Sequence, residues 1–128
     1  LKSDYHVPFP GTCMHECLLT DKLQKEKGIS TMEIAKTLIE HGIHPMTVYF
    51  PLVVHGAMLI EPTETESKAE LDRFCDALES IARRAAQGDE TLKGAPYLAP
   101  AKRLDETRAA RKPVLKWTAP ETERVAAE

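Results

Sequence analysis

Residues 67–86 read SKAELDRFCDALESIARRAA and form the clearest pattern in the chain. Apolar residues recur there at helical spacing, so one face of the predicted helix can pack against a core; they are Leu71, Phe74, Cys75, Leu78, Ile81, Ala82 and Ala85. Ser67 and Glu70 predict a capping box, in which each side chain accepts a hydrogen bond from the other residue's backbone N–H. Acidic residues near the start and two arginines near the end suit the helix dipole, and Gly88 ends the helix.

A second amphipathic helix is predicted to begin after Ser30, which can form a capping box with Glu33. Gly42 supplies a left-handed stop for this helix. Its apolar face would contain Ile34, Ala35, Leu38 and Ile39.

Short stretches around these helices predict the rest of the fold. Residues 15–20, which are apolar in their second half, and the apolar residues 57–60 predict strands, and the proline-bracketed residues 44–51 predict an extended segment. Residues 21–28 are charged and predict a loop. The order strand, helix, strand, strand, helix predicts a two-layer α/β (α+β) fold with helices on one face of a small, mostly antiparallel sheet.

Composition divides the chain into two expected parts. Residues 1–88 carry the predicted sheet and helices and form one small domain. Residues 89–128 form a Pro-rich extension with a short basic helix at 104–111. Acidic residues interrupt the positive charge of this extension and aromatic residues are scarce, so a solvated helix or a subunit contact is favoured over a phosphate-rich partner.

The overall composition excludes several protein classes. Of the 128 residues, 42% are hydrophobic and 29% are charged, which is a globular balance, and the net charge of -3 gives no indication of nucleic-acid or membrane binding. No apolar run approaches the roughly 18 residues of a membrane span. Three cysteines without an export signal predict reduced thiols in the cytoplasm. A start at Leu1 without methionine predicts a segment of a longer chain.

Two thiols and an imidazole lie within five residues, at Cys13, His15 and Cys17. These groups can bind zinc, and in a strand they would share one face with neighbouring side chains about 7 Å apart. No second ligand pair follows in the sequence, so no metal site is expected. A buried strand with one polar contact from His15 is the favoured interpretation.

His44 and Glu61 have positions that local structure does not fully explain. His44 lies between a helix stop and Pro45, where it could contact a phosphate or carboxylate, although a structural role in the turn at Gly42 is favoured. Glu61 follows an apolar strand and precedes Pro62, so its charge either faces solvent or has a buried partner. No phosphate loop, Ser-His-Asp order or metalloprotease motif is present. These residues alone indicate a soluble α/β module.

Several stretches resemble the glycine-decarboxylating P-protein of the glycine cleavage system. They are residues 12–16, residues 42–51 with the pattern Gly-x-His-x-x-Thr-x-x-x-Pro, and residues 61–66 with the pattern Glu-Pro-Thr-Glu-x-Glu. Residues 103–117 resemble the second subunit of the two-subunit bacterial form. The similarity runs in order along nearly the whole chain, but Cys17 stands where the family pattern has an aromatic residue.

This resemblance implies the small C-terminal domain of a fold type I pyridoxal-phosphate enzyme. Such enzymes decarboxylate glycine through pyridoxal phosphate and pass the aminomethyl group to the lipoyl arm of the H-protein. The lysine that anchors the cofactor belongs to the large domain, so no residue of this chain is expected to be catalytic and the chain alone is expected to be inactive. Expected partners are the remainder of the P-protein, its other subunit, the H-protein and glycine.

The residues expected to line or support the active site are His15, His44, Thr47, Tyr49, Glu61 and Thr63. Many fold type I enzymes clamp the substrate carboxylate with an arginine before the last helix, and Leu59 occupies that place here. An apolar residue would favour loss of the carboxylate charge. A non-catalytic interaction module of the same fold is the alternative. A cysteine/histidine metal protein is a third reading, which would require stoichiometric metal.

Overall fold

A three-stranded antiparallel sheet forms one layer of the protein. In the computed structural model, which describes residues 1–119, β1 (Cys17–Thr20) and β2 (Thr47–Val48) lie on either side of β3 (Ala57–Ile60). Both outer strands are antiparallel to β3. The predicted antiparallel sheet is therefore confirmed, and its two longer strands lie within the stretches that predicted them.

The second layer is helical. It contains α1 (Lys22–Lys25), α2 (Thr31–Glu40), α3 (Lys68–Ala86) and a 3-10 helix (Glu90–Gly94), whereas the short α4 (Glu106–Arg111) is exposed. The predictions of α2, α3 and a short basic helix are confirmed. None of the helices in residues 1–119 is both long enough and apolar enough to cross a lipid bilayer.

The prediction that residues 21–28 form a loop is wrong, because this stretch contains α1. Gln24 of α1 is buried, and its Nε2 donates a hydrogen bond to the Asp4 carbonyl at 2.6 Å. The stretch therefore packs against the N-terminal segment, a contact with a distant residue that its charged sequence does not reveal.

The core lies between the helices and one face of the sheet. Leu19 and Met58 are paired across the strands and are both buried in it. Leu18 and Leu59, one position along each strand, point to the opposite face. The helices contribute Ile34, Leu38, Leu78, Ile81, Ala82 and Ala85.

Residues outside the predicted helices and strands also contribute to this core. Tyr5 is buried, and its hydroxyl donates a hydrogen bond to the Leu78 carbonyl at 2.8 Å. Desolvation, followed by the nearby Asp4 charge, raises the pKa of this hydroxyl far above its ordinary value. Leu92 of the 3-10 helix is also buried. The division at residue 88 stays a prediction, and its last residues, 120–128, lie outside the described part of the chain.

The two predicted capping boxes differ in the structure. Ser30 and Glu33 form both reciprocal hydrogen bonds at the start of α2. At the start of α3, Ser67 accepts a hydrogen bond from the Glu70 backbone N–H at 3.2 Å, but the Glu70 carboxylate accepts from Arg73 instead. The second capping box is therefore half formed, because an arginine one turn later competes for the carboxylate.

A buried polar junction ties α2 to β1 and β3. The Asp21 carboxylate accepts a hydrogen bond from the Thr31 N–H at 2.9 Å, and the Thr31 hydroxyl donates to the Gly56 carbonyl at 2.7 Å. The Asp21 N–H donates to the same carbonyl at 3.2 Å. Thr31 is 0% exposed and Asp21 is 3% exposed. Gly56 has φ +66°, and a Cβ there would collide with the Asp21 carboxylate, so glycine is required.

We expect Thr31→Val to lower the free energy of unfolding by about 1–3 kcal/mol, because the Gly56 carbonyl loses a buried donor while the side-chain shape is kept. Chemical denaturation measures this change. Thr107→Val, at an exposed position of α4, is the matched control and should change stability by less than about 0.5 kcal/mol. Equal effects of the two substitutions would contradict the role given to the junction.

Candidate functional site

An open cavity of about 560 Å³ lies where the segment after α2 meets the end of β3 and the start of α3. Four of the six predicted site residues line it, namely His44, Thr47, Glu61 and Thr63. All four are exposed to solvent. The fold therefore gathers most of the predicted residues on one accessible wall.

Local structure explains how the first half of this wall is positioned. Gly42 ends α2 with φ +68°, and the Ile43 N–H donates to the Leu38 carbonyl at 3.1 Å, which turns the chain toward the sheet. His44 follows this turn. Thr47 then pairs with Leu59 on β3, so its side chain lies on the sheet face away from the core.

The segment before β1 brings His15 and Glu16 beside Glu61. Cys17 pairs with Ile60, so the residue before β1 lies near the residue after β3. Side-chain ligand atoms of His15, Glu16 and Glu61 all lie within 4.8 Å of one another, with His15 Nε2 3.6 Å from Glu16 Oε1. A hydrogen bond with the Glu16 carboxyl raises the pKa of Glu61, and His15 partly opposes this shift. The pairing of the two carboxyl groups therefore makes Glu61 harder to ionise than an isolated glutamate.

Cys13, His15 and Cys17 do not share one face of a strand, which was the geometry considered for zinc binding. Only Cys17 belongs to β1, where it packs against the core, and His15 turns toward the two glutamates. An imidazole and two carboxylates could approach a metal ion, but exposed acidic groups often lie together without one. The expectation of no metal site stays a prediction.

Tyr49 does not line the cavity. It follows β2 with φ +58°, a conformation that is uncommon for residues other than glycine. Its N–H donates to the Ala57 carbonyl at 2.8 Å, and the residue is 41% exposed. Tyr49 therefore belongs to the connection between β2 and β3, apart from the four cavity residues.

Charged residues at or just before the start of α3 also line the cavity, although they are not among the six predicted site residues. Glu66, Glu70 and Arg73 line the cavity. Arg73 donates to the His41 carbonyl at 2.8 Å and pairs with Glu70, so its guanidinium group is occupied by protein contacts. Their positions at or just before the helix start predict only capping and dipole effects, so the sequence pattern does not indicate a role in the cavity.

The cavity residues do not fit a pyridoxal-phosphate anchor. No lysine is among the described residues that line the cavity, and this cofactor is normally held by one. Three carboxylates, from Glu61, Glu66 and Glu70, would repel its phosphate. Leu59 also lines the cavity, so an apolar side chain lies where many fold type I enzymes have the arginine that binds the substrate carboxylate.

Comparisons with known proteins agree on one family. The family model described as "Glycine dehydrogenase, C-terminal domain" matches residues 1–97. A Caulobacter vibrioides protein is 60% identical over 119 residues, covering 91% of this chain and 23% of its own length. A Listeria welshimeri protein is 51% identical over 117 residues, covering 91% of this chain and 24% of its own length.

A third relative, from Thermosipho africanus, is 52% identical over 112 residues, covering 87% of this chain and 23% of its own length. All three relatives are named probable glycine dehydrogenase (decarboxylating) subunit 2. The chain spans about a quarter of the length of these relatives. Most of each relative therefore lies outside the matched region.

We expect Glu16→Gln to lower the pKa of Glu61 toward its ordinary value, because the substitution removes the neighbouring carboxyl that raises it. Carboxyl-carbon NMR across a pH titration measures the change directly. Glu64→Gln is the matched control, because it removes a nearby charge without touching the pair. A Glu61 pKa that is the same in the wild type and Glu16→Gln would show that the Glu16 carboxyl does not raise the pKa of Glu61.

Proposed function

The chain belongs to the family of glycine dehydrogenase C-terminal domains, and we propose that it completes the active site of a glycine dehydrogenase (decarboxylating) subunit 2. The proposed activity of the whole enzyme is decarboxylation of glycine with transfer of the aminomethyl group to the lipoyl arm of the H-protein. Pyridoxal phosphate, when bound elsewhere in the enzyme, supplies the electron sink for that chemistry. The proposed location is the cytoplasm.

The open, lysine-free cavity is the observation that carries this proposal. Small-molecule sites usually bury most of their ligand, whereas the four predicted residues that line this cavity are exposed on one open wall. A second protein body is needed to supply the opposite wall and a lysine. The rest of subunit 2 and the other subunit of the enzyme are the proposed sources.

The cavity residues would then act on the substrate side without covalent chemistry. His44 and Thr47 present an imidazole and a hydroxyl, which can hydrogen-bond a polar substrate or the arriving lipoyl arm. Glu61 presents a carboxyl group whose pKa is raised by its hydrogen bond with the Glu16 carboxyl, so it is a candidate proton donor or acceptor on the substrate side. Leu59 presents an apolar side chain where the substrate carboxylate would lie, and the Arg73 guanidinium of the same cavity is held by Glu70 and the His41 carbonyl.

The proposed function is tested by glycine-dependent exchange of labelled bicarbonate. The chain alone is expected to show no exchange, because it offers no cofactor-anchoring lysine at the cavity. Addition of the remaining part of subunit 2, the other subunit and pyridoxal phosphate should restore exchange. The same mixture without this chain is the control. Exchange by the chain alone, or full exchange without the chain, would contradict the proposal.

A separate prediction concerns Leu59 in the assembled enzyme. Leu59→Arg should lower both KM for glycine and the decarboxylation rate, the rate by about tenfold, because a cation would stabilise the carboxylate before it leaves. Steady-state exchange kinetics separate the two effects. Leu98→Arg places the same charge at an exposed position outside the cavity and serves as control. An unchanged rate for Leu59→Arg would contradict the role given to the apolar side chain.

A further inference from the structure

An apolar groove lies beside strands β1 and β3 and extends to Cys75 of α3. Its volume is about 750 Å³, and Leu18 and Leu59 of the sheet lie in its wall. Phe9 and Phe50, from separate segments of the chain, stand beside it at 68% and 55% exposure. Two exposed aromatic rings beside an apolar depression are typical of a surface that another protein body covers.

We propose that this groove seats the part of the glycine dehydrogenase subunit that precedes the C-terminal domain in the complete polypeptide. This inference rests on the proposed function and identifies the groove as the surface that contacts the rest of the subunit. The matched region is only 23% of the Caulobacter vibrioides relative and 24% of the Listeria welshimeri relative, and the matching family is a C-terminal domain. Leu1 and Lys2 line the groove, so a preceding segment would emerge at its wall.

The groove is continuous with the candidate site. Leu59 lines both the groove and the cavity, and Glu16 lines the groove while it contacts Glu61. A protein body that fills the groove would therefore lie beside the open wall that carries His44 and Thr47. One contact would cover the apolar surface and also bring outside residues to the substrate side of the cavity.

Three cysteines make this inference measurable, because Cys13, Cys17 and Cys75 all line the groove. Cys13 is exposed, whereas burial raises the pKa of the Cys17 thiol and makes it less reactive. Cys13 is therefore the reporter of whether the groove is covered. Its reaction with N-ethylmaleimide can be followed by peptide mass spectrometry.

The experiment compares the chain alone with a full-length subunit 2 that carries this chain in place of the matching region of the Caulobacter vibrioides relative. Cys13 is expected to react at least about tenfold more slowly in the full-length subunit. A cysteine introduced by Glu79→Cys, on the exposed side of α3, should react equally in both proteins. Equal reaction of Cys13 in both would overturn the inference.

Two variants of the full-length subunit sharpen the result. Phe9→Ser should restore much of the Cys13 reactivity, whereas Leu98→Ser, exposed outside the groove, should leave Cys13 protected. If Cys13 stays protected in the Phe9→Ser variant, the assignment of this surface is overturned. If Cys13 of the isolated chain becomes more protected as the protein concentration rises, the groove is covered by a second copy of the chain. That result would also overturn the inference.

Bicarbonate exchange, measured on the same preparations after addition of the other subunit and pyridoxal phosphate, separates this inference from the proposed function. An active subunit with fully reactive Cys13 would refute the groove contact and leave the enzymatic role standing. A subunit with protected Cys13 and no exchange would support the groove contact and refute the enzymatic role.

Discussion

The buried junction between Asp21, Thr31 and Gly56 is the constraint on which the arrangement of the site depends. Thr31 begins α2 and is bonded both to the end of β1 and to the residue before β3. Since the length of α2 then fixes where Gly42 turns the chain, the junction sets the position of His44. Since β3 starts directly after Gly56, the same junction sets where Glu61 leaves the sheet. The positions of both sides of the cavity therefore depend on one set of buried hydrogen bonds.

The proposed function treats the surface built on this frame as one half of a site. Exposed polar residues line the cavity, and the neighbouring groove beside the sheet is apolar and open. A larger protein body that covers both would account for this open surface. Family membership and the short share of each relative's length are consistent with this arrangement.

Much of the fold follows from local sequence rules, and the exceptions have physical causes. Helical periodicity and caps were sufficient for α2 and α3. Burial of Tyr5 and Leu92 depends on contacts with distant residues, which periodicity does not report. The pair of Glu16 and Glu61 arises from strand register, so neither residue signals it alone. Tyr49 lies outside the cavity, and its backbone takes φ +58°, a conformation that the presence of an aromatic residue does not predict.

The central claim is that this chain supplies active-site residues while the cofactor lysine lies elsewhere in the enzyme. The most direct measurement is borohydride reduction of the assembled enzyme with pyridoxal phosphate, followed by mass-spectrometric mapping of the labelled lysine. We predict a single pyridoxyl group on a lysine outside the 128 residues of this chain. A pyridoxyl group on any lysine within these residues would contradict the claim.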